Sequence, residues 1–196
     1  MGWALTLERE TPRRGRWQLL GLLAVVVGPM LLASAMYRWQ FWLPQGRSYH
    51  GELIATGQTP ADLGVAGTWG AADDEAAPWQ LLVTSADDCR ADCRRLVYLA
   101  RQIHIALGRD AGRAGHALAH GAALPADYAG ELCAAYPQLR VLELDAERYR
   151  QQPALDGAQL WIVDPHGNLV LRYAAGSDGK RILDDLRHLL KSSQIG

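Results

Sequence analysis

Phenylalanine occurs once in this chain of 196 residues, and lysine only twice, at Lys180 and Lys191. Positive charge therefore rests almost wholly on arginine. Twenty basic residues stand against 21 acidic ones, for a formal net charge of −1. So balanced a chain lacks the basic excess that marks a general nucleic-acid binder. Its three cysteines are too few for a disulfide-stapled miniprotein, and odd in number. No Gly-rich phosphate loop, internal repeat or heptad array is present. Charged residues make up 21% and hydrophobic ones 49%, which excludes a disordered chain. The length suits one ordinary domain with a tail left over.

Charge is absent altogether from one stretch. Leu19 to Met36 reads LLGLLAVVVGPMLLASAM, eighteen residues with no ionisable side chain. As a helix it covers about 27 Å, close to the hydrocarbon thickness of a bilayer. Pro29 is tolerable there. Trp17 lies before the run, and Tyr37, Trp39, Phe41 and Trp42 follow it, as rings do at membrane interfaces. Arg9, Arg13, Arg14 and Arg16 precede it. The positive-inside rule then places the N-terminus in the cytoplasm and the remainder outside. Ala33-Ser34-Ala35 has the form of a signal-peptidase site, so a cleaved leader is the competing reading. Either reading exports the same domain. From Arg47 onward it carries 15 basic and 19 acidic residues, a net charge of −4.

The expected organisation is a cytoplasmic stub over 1–16, a transmembrane helix over 17–37, a juxtamembrane linker and lead-in over 38–78, and an exported domain over 79–196. Within the lead-in, Tyr49 to Ile54 is a short strand or extended segment, and Thr56 to Pro78 is loop. Trp79 to Ser85 (WQLLVTS) is a compact apolar run of strand length. Ala86-Asp87-Asp88 supply helix-opening residue types, and a helix is expected from Cys89 to Leu107, with Gly108 ending it. Arg109 to Leu124 carries little signal beyond a short strand at His116 to Ala119. Asp127 to Tyr136 predicts a helix stopped by Pro137, and Leu139 to Leu144 a strand. Gln159 to Asp164 and Leu169 to Tyr173 flank Pro165-His166-Gly167-Asn168, a hairpin signal. Ser177 opens a last helix whose apolar face is Ile182, Leu183, Leu186, Leu189 and Leu190. The α/β alternation ending in a hairpin and a helix suits a thioredoxin-like domain preceded by one N-terminal transmembrane helix.

Chemistry concentrates in Asp87-Asp88-Cys89-Arg90-Ala91-Asp92-Cys93-Arg94-Arg95, where a strand hands over to a helix. Thiols at i and i+4 face one side if both are helical. They can hold one soft metal ion, or close a disulfide if the first lies just off the helix end. A helix N-terminus favours thiolate over thiol. Arg90, Arg94 and Arg95 support that effect, and the three aspartates oppose it. A structural disulfide, or two unconnected core cysteines, is the plain alternative. Cys133 reads as a small buried residue of the helix Asp127 to Tyr136.

A membrane-anchored domain with a strand, C-x-x-x-C and a long helix resembles the Sco/SenC proteins. LWIVDPHGNLVLRY followed by SDGKRILDDLRHLLK is similar to that family's hairpin and closing helix. The resemblance spans about Trp79 to Lys191. It implies a thioredoxin-like fold and an assembly factor for the copper centre of cytochrome c oxidase rather than an enzyme. Its partners would be an oxidase subunit or other assembly factors. The domain would be periplasmic, on an inner-membrane anchor. Cys89 and Cys93 would be the redox pair and the copper thiolates, taking Cu(I). The sequence departs from the family at Arg90-Ala91, where Pro-Asp is usual. It has no histidine over 151–158, where the family's third ligand lies, and no proline directly before Gln159. Of the other histidines, His116 and His120 at i and i+4 are the best spare ligands. His104 reads as a surface or helix-packing residue and His166 as a solvated turn residue, while His50 and His188 signal no site. An anchored thiol–disulfide reductase and a degenerate thioredoxin-like scaffold are the remaining readings.

Overall fold

A computed structural model describes residues 13–39, 49–69, 77–152, 155 and 157–193. The chain divides into two units, Met1–Arg47 and Ser48–Gly196. The uncharged run lies in helix α1 (Arg13–Trp39), 27 residues that pass through Pro29. Over Trp17–Ala35 its mean hydropathy is 2.0, and none of that stretch is buried by protein. A helix apolar on every side and uncovered by the described residues of its own chain is suited to lipid. Ser34 donates its hydroxyl to the carbonyl of Met30, so the run's one hydroxyl is satisfied within the helix. Of the flanking aromatic belt, Phe41 and Trp42 lie outside the described residues.

The second unit is built on a six-stranded sheet in the order β1-β6-β5-β2-β3-β4. Strand β2 (Trp79–Ser85) is buried along its whole length, because it lies mid-sheet with cover on both faces. It pairs in parallel with β3 (Ala114–His120), which pairs in parallel with β4 (Leu139–Glu143). On its other side β2 runs antiparallel to β5 (Gln159–Val163), which forms a hairpin with β6 (Leu169–Ala174). Gly167 takes the left-handed conformation in the hairpin turn, φ +87°. From the lead-in segment, β1 (Glu52–Leu53) adds an antiparallel edge onto β6.

Among the described residues four helices complete the unit: α2 (Ala91–Ala106), α3 (Ala126–Ala135), α4 (Ala146–Arg150) and α5 (Gly179–Ser192). A short 3-10 turn over Gly108–Arg113 follows α2. One sheet face, with Leu81, Val83, Leu118, Leu160 and Ile162, packs on Leu96, Val97 and Ala100 of α2 and on Ile182 and Leu186 of α5. The opposite face, with Leu82, Ala117, Trp161 and Val163, is closed by Leu63, Val65 and Tyr149. Residues alternate between the two clusters along β2 and β5, the period-2 pattern of a strand. Asp185 of α5 is buried beneath the first cluster. It accepts from the backbone N–H groups of His50 and Gly51, from the Tyr173 hydroxyl at 2.7 Å, and pairs with His50 Nδ1 at 2.8 Å. Burial alone would raise its carboxyl, but these hydrogen bonds outweigh burial and hold it below its ordinary value.

Two expectations change. Helix α2 begins at Ala91, not Cys89, and its N-cap is Arg90 without a side-chain cap. Asp87 and Asp88 lie in a bend before it. The region that carried little signal holds β3, a seven-residue central strand.

Candidate functional site

Strand β2 delivers the chain to the edge of the sheet, and the next few residues turn it into α2. Cys89 makes that turn in the left-handed conformation, φ 55°, the sole non-glycine residue with positive φ among those described. Such a backbone costs a β-substituted residue about 1 kcal/mol. The turn brings Cys89 back towards Cys93 on the first turn of α2. Their Cα atoms stand 4.9 Å apart and the two sulfurs are joined in a disulfide. Cys89 is wholly buried and Cys93 is 2% exposed. Both belong to the cluster beneath α2, beside Leu96 and Ala158.

A cavity of about 390 Å³ opens above the pair. Cys93, Ser85, Asp87, Arg90, Asp92 and Tyr149 are among its lining residues; Cys89 is not. Its rim is charged with both signs. Arg150 of α4 donates to Asp87 at 3.2 Å and to the carbonyl of Ala86 at 3.5 Å, and Arg90 pairs with Asp88 at 2.9 Å. Arg94 donates to the carbonyl of Cys89 at 3.3 Å while its guanidinium lies 4.2 Å from the centre of the Tyr128 ring. Burial, then the neighbouring Tyr136, pushes the Tyr128 hydroxyl up to about 12 despite Arg94. Beneath the cavity, Trp161 Nε1 donates to Thr84 Oγ1, which bonds the Tyr149 hydroxyl, both at 2.8 Å. Desolvation pushes Tyr149 up to about 12, so it stays neutral.

Sequence reasoning missed Tyr149 and Arg150, because α4 was not expected. Its signal was Asp145-Ala-Glu-Arg: the Asp145 carboxylate accepts from the N–H groups of Glu147 and Arg148 as an N-cap. Leu155, Gly157 and Ala158, from the stretch where the sequence lacks a histidine, are also among the cavity's lining residues. Pro153, Ala154 and Asp156 lie outside the described residues. Ala158 directly precedes β5, and the described residues contain no cis peptide bond. They also contain no cluster of three or more histidine, cysteine, aspartate or glutamate side chains arranged to hold a metal.

The remaining candidates are dispersed. Cys133 is exposed on α3, a correction to its expected burial. The buried stripe of α3 is Tyr128 and Leu132, and the next position turns away from it. His116 is the third residue of β3 and His120 its last. Four residues of strand separate them by about 13 Å, too far to share one ion. His120 Nδ1 stands 2.9 Å from the carbonyl of Ala122. His116 instead meets His104, their ring centres 5.0 Å apart. His166 is exposed in the hairpin turn, and His188 meets Tyr49 edge-on.

Comparison with known proteins fits this architecture. Residues 79–193, more than half the chain, match the family described as transmembrane-like, thioredoxin-like, C-terminal domain. The chain belongs to this family. Residues 9–40 match the corresponding transmembrane-like N-terminal domain, so the protein is a single-pass membrane protein with a thioredoxin-like C-terminal domain. No curated protein matches the sequence. Among solved structures, copper-bound ScoI of Bradyrhizobium japonicum is 17% identical, with a TM-score of 0.40 over 57% of this chain and 84% of that one. Copper-bound ScoI of Arabidopsis thaliana is 12% identical, with a TM-score of 0.46 over 59% and 86%. The exposed lipoprotein thioredoxin of Streptococcus pneumoniae is 16% identical, with a TM-score of 0.39 over 59% and 87%.

Proposed function

We propose that this protein is a membrane-anchored accessory factor of the Sco type, whose Cys89–Cys93 pair exchanges thiols with an exported partner during assembly of the cytochrome c oxidase copper centre. The single observation that carries the reading is the disulfide at the strand–helix junction, sealed on one side and lining a cavity on the other. In the reduced form, the Cys93 thiolate lies on the first turn of α2, where the helix dipole favours the anion. It attacks one sulfur of a partner disulfide and releases one partner thiolate. The Cys89 thiolate then attacks the Cys93 sulfur of the mixed disulfide, releasing the second partner thiolate and closing Cys89–Cys93. Two electrons pass to the partner, and a further thiol reductant must restore the pair. The proposed anchor is α1, with the domain on the periplasmic face of the inner membrane.

The donor set bears on copper as cargo. Two thiolates suit Cu(I), which is soft and accepts low coordination. The described lining of the cavity adds carboxylates and a phenol but no imidazole. That favours exchange or brief Cu(I) transfer over stable retention.

The test uses the full chain in detergent with Cys133→Ser to remove the exposed thiol. Equilibration in glutathione buffers should give the pair a potential between about −120 and −270 mV, the range of exchange proteins. A value below about −300 mV would mark a structural disulfide and overturn the proposal. Titration of the reduced chain with Cu(I) against a chelator, with Cys89→Ser and Cys93→Ser, reads the transfer step. Unchanged affinity in both variants removes it. In cells, a Cys89→Ala/Cys93→Ala double variant should fail to support oxidase assembly; full support would leave only a scaffold.

A further inference from the structure

The far end of α2 carries a second constellation, and nothing in thiol exchange uses it. His104 lies in the last turn of the helix, and His116 lies on β3. Helix α2 leaves the thiols at one end of the sheet, and the chain returns through the 3-10 turn into β3. The two imidazoles thus meet about 16 Å along the helix from Cys93. They line a cavity of about 470 Å³ together with Pro78, Ala111 and Gln138.

His116 is 3% exposed, and neither of its ring nitrogens has a hydrogen-bond partner among the described residues. A neutral imidazole carries one N–H donor and one lone pair, and buried polar groups are normally paired. The ring of His116 lines the cavity while both of its nitrogens stay unspent, a deficit that a ligand held between the two imidazoles would satisfy. Burial, then the neighbouring His104 and Arg101, holds it down at about 4. His104 stands differently. Its Nε2 lies 3.1 Å from the carbonyl of Ala111. Donation there fixes the tautomer and leaves the lone pair on Nδ1, the outer-shell arrangement that metal-binding histidines use.

The spacing fits two imidazoles on one ion. With metal–nitrogen bonds of about 2.0–2.1 Å, each ring centre lies about 3.2 Å from the ion. Ring centres 5.0 Å apart then subtend roughly 100° at a shared ion. That is the angle of two neighbouring ligands in a four-coordinate complex. Linear two-coordination would need the centres about 6.4 Å apart. We propose that His104 and His116 form a second metal site, taking a divalent first-row cation through two imidazoles, with water and the Gln138 carboxamide completing the shell. By donor type the order of affinity is Cu(II) above Zn(II), with Mg(II) and Ca(II) excluded.

The test uses the full chain in detergent, oxidised so that Cys89–Cys93 is closed, and carrying Cys133→Ser. Cu(II) and Zn(II) are titrated separately against a competing chelator, with Mg(II) as control. One equivalent of Cu(II) should bind, and its electron paramagnetic resonance spectrum should show two coupled nitrogens. His104→Ala, on a half-exposed helix face, should weaken binding at least tenfold. His116→Gln should do the same. His120→Ala and His166→Ala should leave it unchanged. Circular dichroism confirms that each variant is folded, and His104→Ala alone decides if His116→Gln is not. Absence of a one-equivalent site, or undiminished affinity in His104→Ala, overturns the proposal.

Discussion

Reduction of Cys89–Cys93 is expected to cost the domain only about 1 kcal/mol, and the value follows from the size of the ring it closes. The two cysteines are four residues apart. The chain-entropy relation gives so short a loop about 2 kcal/mol of stabilisation, against nearly 5 for a loop of a hundred residues. Against that stands the left-handed backbone of Cys89, φ 55°, worth about 1 kcal/mol, which the reduced chain is free to relax. The difference is about 1 kcal/mol, which in a domain of this size shifts Tm by about 2–4 °C. The assay is thermal unfolding of the full chain in detergent, followed by near-ultraviolet circular dichroism of the buried Trp79 and Trp161, with and without a phosphine reductant. A small downward shift with an unchanged folded spectrum leaves both redox states available to a partner. A fall beyond about 10 °C, or loss of the folded spectrum on reduction, would refute the reasoning. The pair would then be a staple that the fold cannot spare, and its opening could not be part of a working cycle.

Other consequences are open to measurement. Thr84→Val removes both hydrogen bonds at Thr84 Oγ1 and strands the buried Trp161 N–H and Tyr149 hydroxyl; the unfolding free energy from urea titration should fall by about 2–4 kcal/mol, while Thr84→Ser stays within about 1. Asp185→Asn removes the charge that four donors converge on and should cost about 3 kcal/mol in the same assay. Because the Asp185 carboxyl is held below its ordinary value, its contribution is present above the ordinary carboxylate range and is lost as pH falls through it; the variant should show a flatter acid limb. His116 acts in a higher window. Its folded value of about 4 lies under the ordinary 6.5, so between those values the unfolded chain binds a proton that the folded one refuses. Stability should fall by about 1.4 kcal/mol per pH unit as pH drops through that range, and His116→Gln should remove this share of the slope in denaturant titrations at pH 7, 6 and 5.

What the sequence disclosed and what it withheld divide on a physical line. Strands β2 and β5 are largely apolar runs because they are covered on both faces; the bounds of β2 read directly from WQLLVTS, and β5 ends one residue short of the expected Gln159 to Asp164. Strand β3 occupies an equally buried place, yet AGHALAH is made of residues with little preference for strands. Its position comes from pairing with β2 on one side and β4 on the other, a tertiary effect that no local pattern encodes. The helix start was misplaced for a related reason. Asp87 and Asp88 have capping chemistry, but the chain spends those positions on the bend that carries Cys89 to Cys93. Cys133 was misread on residue type, where the helical period alone, with Tyr128 and Leu132 as the buried stripe, would have set it outward.

The same division governs the two constellations on α2. The thiols lie four residues apart at one end, so their proximity was legible from spacing alone. Their surroundings were not, since Tyr149, Arg150 and Ala158 arrive from distant parts of the chain through the order of the sheet. At the other end, His104 and His116 are twelve residues apart in sequence and shared no recognisable spacing. Their meeting is nevertheless a consequence of the β2–α2–β3 unit. A helix that starts where one strand ends must finish where the next parallel strand begins, so the last turns of α2 face the first residues of β3. The i, i+4 pairing of His116 with His120 applied a helical rule to a strand, whereas the crossover points to His104 as its neighbour.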